Sequence, residues 1–155
     1  MRLSVRPGLE PLLALFLAGC SGEPLSVGSL SLRLDVQPAQ VSPDDSFTVH
    51  LVVRNAGVRD TTLVSGCSLP TFFGLDGPGG VVYPAPGLGC LTVITPFKIA
   101  AEDSLTMTRR FVAHDTGRLG YPALPPGEYV VFTDWHIGGL PVLRRSLTVT
   151  NDTNP

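Results

Sequence analysis

Three cysteines, three histidines and a single lysine carry most of the reactive chemistry open to this 155-residue chain. Cys20, Cys67 and Cys90 offer thiols for acylation, disulfide formation or metal binding, and His50, His114 and His136, with Asp134, offer nitrogen and oxygen donors for copper or zinc. The histidines lie far apart, and histidine on an outward strand position is ordinarily exposed, so three unrelated surface residues are the simpler expectation. His114-Asp115 beside Gly117 reads as a polar turn before it reads as part of a Ser/His/Asp site. Gly-x-Ser-x-Gly is absent, and Lys98 sits between Phe97 and Ile99 instead of after a glycine run, which excludes a phosphate-cradling loop. No nucleophile has an activating neighbourhood, so the expectation is a protein that is not an enzyme and holds no cofactor and no metal.

The composition narrows the partners. Charge is sparse, with 11 basic and 13 acidic groups giving a net −2, and the nearest approach to a basic stripe is two arginine pairs, Arg109-Arg110 and Arg144-Arg145. Nucleic acid is thereby set aside. Hydrophobic residues make up 43% of the chain and the mean hydropathy is +0.26, enough for a packed core, while 17 Gly and 15 Pro call for many turns.

Arg2 and Arg6, the apolar run Leu12 to Ala18 and the small residue Gly19 have the layout of a cleaved secretory signal peptide. The run is too short to span a bilayer, which takes about 20 apolar residues. Leu17-Ala18-Gly19-Cys20 resembles the lipobox of bacterial lipoproteins. That resemblance makes Cys20 the mature N-terminus, carrying thioether-linked diacylglycerol and often a further amide-linked chain, and two or more buried chains give stable anchoring. Ser21, which is not Asp, is compatible in that family with transfer to the outer membrane, so the expected location is the cell envelope, on the outer membrane facing the periplasm. Loss of Arg2, Arg6 and Glu10 would leave nine basic and twelve acidic groups.

With Cys20 lipidated, Cys67 and Cys90 are left as an even pair in an oxidising compartment, where a disulfide is expected. The competing metal-site reading needs more ligands, and no His lies between residues 51 and 113. The loop bounded by the pair, with Ser68, Leu69, Pro70 and Thr71 at its start, is the candidate binding loop.

The residues that must position these groups alternate with period two. Leu30, Leu32, Leu34 and Val36 alternate with Ser31, Arg33 and Asp35, and Phe47, Val49, Leu51 and Val53 with Thr48, His50 and Arg54 before an Asn55-Ala56-Gly57 turn. Pro38 and Pro43 end the first of these strands. Thr61 to Ser65 reads as another, and Phe72 to Leu75 joins Val81 to Tyr83 through a glycine-rich hairpin turn. Leu91 to Ile94 is a weaker match, and Leu105 to Val112, Tyr129 to Trp135 and Val142 to Val149 complete seven or eight strands. The fold class is all-β. Each arginine pair would send one guanidinium inward unless it lies at an edge or rim, and that reading is preferred to an anion pocket. Asn151-Asp152-Thr153 matches a glycosylation acceptor by chance.

Val36…Pro38, Phe47 to Asn55, Phe73-Gly74-Leu75-Asp76…Gly80-Val81-Val82 and Leu124-Pro125-Pro126-Gly127-Glu128-Tyr129 together resemble bacterial immunoglobulin-like sandwiches, most of all the domain named for the Bacillus intracellular proteinase inhibitor. The resemblance implies an immunoglobulin-like antiparallel sandwich over residues 30–150, after a signal peptide at 1–19 and a lipidated N-terminus and tether at 20–29, with a tail at 151–155. It also places Tyr129 where a tyrosine corner would bond back to a nearby loop. The function expected is that of a membrane-anchored envelope lipoprotein whose non-catalytic sandwich binds a protein partner or supports an assembly. Inhibition of an exported protease is the alternative.

Overall fold

A computed structural model describes residues 24–65, 72–83, 95–115, 119–120, 122–134 and 140–151. Cys20, Cys67, Cys90, Ser68 to Thr71, Leu91 to Ile94, Trp135 and His136 lie outside them. In chain order the strands are β1 Leu25–Val27, β2 Leu30–Gln37, β3 Gln40–Val41, β4 Ser46–Asn55, β5 Thr61–Ser65, β6 Phe72–Gly77, β7 Gly80–Tyr83, β8 Thr95–Ile99, β9 Ser104–Val112, β10 Gly127–Asp134 and β11 Arg144–Val149. They form one sheet in the order β1-β2-β4-β9, a second in the order β3-β11-β10-β6-β7, and a ribbon of β5 with β8. The fold is all-β, an immunoglobulin-like sandwich, and every pairing is antiparallel except that of β3 with β11.

The two alternating stretches read from the sequence are β2 and β4. Leu32, Leu34, Val49, Leu51 and Val53 are fully buried, while Arg33 and Arg54 between them are exposed. Opposite them lie Leu75 of β6, Tyr129 and Val131 of β10, and Leu147 and Val149 of β11. Close approach in this second sheet depends on glycine: a Cβ on Gly74 would lie 2.1 Å from the Phe132 ring, and one on Gly77 would lie 2.5 Å from that of Tyr129. Phe111 of β9 stacks on Phe47 at 5.5 Å and meets Phe73 of β6 edge-on at 6.3 Å, joining the two sheets.

The structure departs from the sequence reading at its short elements. Among the described residues, paired backbone begins at Leu25, inside the stretch read as tether, because β1 folds back on β2. Pro38 ends β2 as expected, but the chain then crosses to the second sheet, where Thr148 N–H donates to Ala39 O at 2.9 Å and Thr150 N–H to Val41 O at 2.9 Å. β8 runs through Pro96, which is tolerated because each strand of a two-stranded ribbon has an outer side that needs no ladder bond.

Residues 50 and 51 sit side by side on opposite faces of the central strand. Leu51→Asp puts a charge in the core and should abolish the cooperative thermal transition, whereas His50→Asp, facing solvent beside Thr108, should melt within a few degrees of the parent. Equal melting temperatures would show the register to be wrong.

Candidate functional site: the β9 edge

β4 is paired on both sides, and its bonds fix which backbone groups of its neighbours face outward. Asn55 N–H donates to Asp103 O at 2.9 Å and Ala113 N–H donates to Asp45 O at 2.8 Å, so the odd-numbered residues of β9 point their peptide groups toward β4. The even-numbered residues therefore direct theirs to the open side. Val112 O accepts from His114 N–H, but Thr106, Thr108 and Arg110 have no strand partner among the described residues.

The side chains suit an edge. Thr106, Thr108 and Arg110 are exposed, and Arg110 donates to Ser46 Oγ at 3.1 Å. On the inner face Leu105, Met107, Arg109 and Phe111 are only half buried, and the Arg109 guanidinium lies 5.7 Å from the centre of the Phe111 ring. The result is a nine-residue strand with donors and acceptors along one side and an apolar, arginine-capped shelf beneath.

The second arginine pair also lies at a rim. Arg145, at the start of β11, donates from Nε to Leu34 O at 2.8 Å, while Arg144 packs over Phe132 at 5.6 Å on the outer face. The edge-or-rim reading thus fits both pairs.

The polar clusters elsewhere bind the fold together. Asn55 is fully buried and donates to Arg59 O, Ile99 O and Ala100 O at 2.7, 3.3 and 3.1 Å, while its Oδ1 accepts from Gly57 N–H at 3.0 Å. Nearby, Lys98 contacts Asp60 at 2.6 Å and holds that carboxyl below its ordinary range, helped by the Ala101 amide. The contribution of a lowered carboxylate is present above its unfolded pKa and is lost as pH falls through the folded one. At the other end His114 meets Asp44 at 2.6 Å. Tyr129 Oη donates to Pro125 O at 2.7 Å, the tyrosine corner expected from Pro-Gly-x-Tyr, and burial pushes its phenol up, with Asp115 adding to the effect. Among the described residues no three His, Cys, Asp or Glu side chains are grouped to hold a metal, and no helix is long and apolar enough to cross a membrane.

The expected lipidation position Cys20, the expected disulfide pair Cys67 and Cys90 and the candidate loop Ser68 to Thr71 fall outside the described residues. The edge position of β9 was legible in Arg109-Arg110, whereas the buried role of Asn55 was missed; an Asn that closes an alternating strand just before Ala-Gly is the signal for it.

No family model matches the chain, and no curated protein matches it. Among solved structures, the chain is similar to part of a β-glucosidase from Erythrobacter marinus at 14% identity, over 79% of this chain and 15% of that one, with a TM-score of 0.52. A β-glucosidase from Listeria innocua overlaps at 12% identity, over 78% and 16% of the two chains, with a TM-score of 0.49. An alkylpurine DNA glycosylase from Pseudomonas fluorescens does so at 14% identity, over 79% and 30%, with a TM-score of 0.48. The chain therefore spans less than a third of each of these proteins, and the likeness is one of fold alone.

Asn55→Ala would strip the donor from three backbone carbonyls at once. Unfolding in urea should show a loss of about 2–3 kcal/mol, the scale of buried groups left unsatisfied. A change within error would mean that the anchor contributes nothing net.

Proposed function

We propose that this protein is an exported lipoprotein, held on an envelope membrane through Cys20, whose non-catalytic sandwich binds a protein partner by accepting an extended segment along β9. The observation that carries the reading is the row of outward peptide groups at Thr106, Thr108 and Arg110 above a half-buried apolar shelf. Strand addition uses these features: main-chain bonds supply affinity, and pockets for alternate side chains supply selectivity.

The anchor rests on the Leu17 to Cys20 pattern. Cys20→Ser removes the thiol that accepts diacylglycerol, so fatty-acid labelling should vanish and the signal peptide should be retained. Labelling that persists in the Ser variant would end the assignment.

The docking edge is tested by proline. Thr106 N–H faces away from β4, so Thr106→Pro removes a bond only from an incoming strand. The full-length protein, extracted in detergent, should capture a partner from envelope extracts, and the Pro variant should keep its melting profile while capture falls at least tenfold. Undiminished capture by a folded Pro variant would contradict docking on β9. A captured protease that the protein slows would favour the inhibitor reading.

A further inference from the structure

The stretch from Glu102 to Arg110 runs into and along β9 and reads acid, acid, Ser, Leu, Thr, Met, Thr, arginine, arginine. About Thr106 it is symmetric in side-chain size and opposite in charge. Glu102, Asp103 and Arg110 are exposed. Asp103 Oδ1 accepts from Ser104 N–H at 2.7 Å, on the open side of the strand, so this carboxylate already lies at the edge. Arg54, across from Ser104, is set one strand back.

Two β9 strands can pair antiparallel only with even-numbered residues opposite one another, since those direct their peptide groups outward. Centred on Thr106, the match sets Thr106 against itself, Ser104 against Thr108 and Leu105 against Met107. It carries Glu102 and Asp103 of each copy to the Arg109-Arg110 end of the other. Ser104 N–H then exchanges its bond to Asp103 for one to the opposite strand, which releases the carboxylate to the arginines. Thr–Thr and opposite-charge pairs across strands are favourable, and the half-buried Leu105 and Met107 are covered by the same residues of the other copy. A match centred on Thr108 would instead set the two Arg109 side chains diagonally on one face, like charge beside like charge, so charge selects the first register.

We infer that β9 pairs with β9 of a second copy of this chain, in a two-fold symmetric dimer that joins the two four-stranded sheets edge to edge. This pairing shares with the docking reading above only the open side of β9, and it does not depend on the lipid anchor. A contact built on one strand from each copy is small, and therefore weak. The dilute protein keeps its edge open, while at higher concentration self-pairing and partner docking exclude one another.

Sedimentation of the full-length protein in detergent, over a series of concentrations, tests the dimer. The parent should pass from monomer to dimer as concentration rises. R109E/R110E and E102K/D103K each bring like charges together at both ends of the contact, so each should keep a cooperative melt and dimerise at least tenfold more weakly. An equimolar mixture of the two restores opposite charges at both ends and should recover the dimer. A parent that stays monomeric throughout would overturn the pairing while leaving partner docking on β9 standing. Undiminished dimer in either folded double variant, or a mixture that stays monomeric, would overturn it as well. Should a double variant lose its melting transition, salt decides: going from about 0.1 M to about 1 M shortens the Debye length from about 10 Å to about 3 Å and should weaken the parent dimer at least threefold, and a dimer unmoved by salt would overturn the charge-matched pairing.

Discussion

A sheet with one face in the core and one in solvent buries every second side chain of its central strand, and β4 is such a strand, paired with β9 from Ser46 to Arg54 and with β2 from Thr48 to Asn55. Its inward set Phe47, Val49, Leu51 and Val53 fixes the register of β2 on one side and β9 on the other, since a shift of one residue would put those side chains in water. The same pairing fixes backbone polarity. Ala56 N–H bonded to Ser29 O sets the phase on the β2 side, so Leu34 O points away from β4, as do the peptide groups of Thr106, Thr108 and Arg110 on the β9 side.

The two flanks meet this outward polarity differently. On one, β1 takes up Leu30 to Leu32, Arg145 takes Leu34 O, and the crossing to β3 ties the first sheet to β11. On the other, the outward groups in the middle of β9 have no strand partner among the described residues. Edge strands left in this state invite pairing, and the usual protections are charge and a bulge; here Arg109 and Arg110 supply the charge. The nine-residue β9 thus presents a longer outward side than the three-residue β1 at the other edge of the sheet.

The long elements were legible because their physics is local. Period-two alternation marks β2 and β4 directly, and the glycine-rich turn between Phe72 and Tyr83 announces the β6–β7 hairpin. Tyr129 could be placed because the corner bond to Pro125 spans only four residues. What escaped depends on distant partners. β1 and β3 have three and two residues, too few for any alternation, and exist because Leu30–Leu32 and Thr148–Val149 are there to pair with. β8 contains Pro96, an ordinary strand breaker, and Thr61–Ser65 lends it a ladder. Asn55 looked like a turn residue and is one, but its burial comes from Ile99 and Ala100, 44 and 45 positions away. The sealing of Leu34 by Arg145 spans 111 positions and has no sequence signature.

Native-state amide hydrogen exchange on the unpartnered full-length protein tests the open edge most directly. Along β9 the rates should alternate, with Leu105, Met107, Arg109 and Phe111 protected by β4 and Thr106, Thr108 and Arg110 exchanging orders of magnitude faster. Equal, strong protection of both sets would mean that the outer side of β9 is already covered, and would contradict the account.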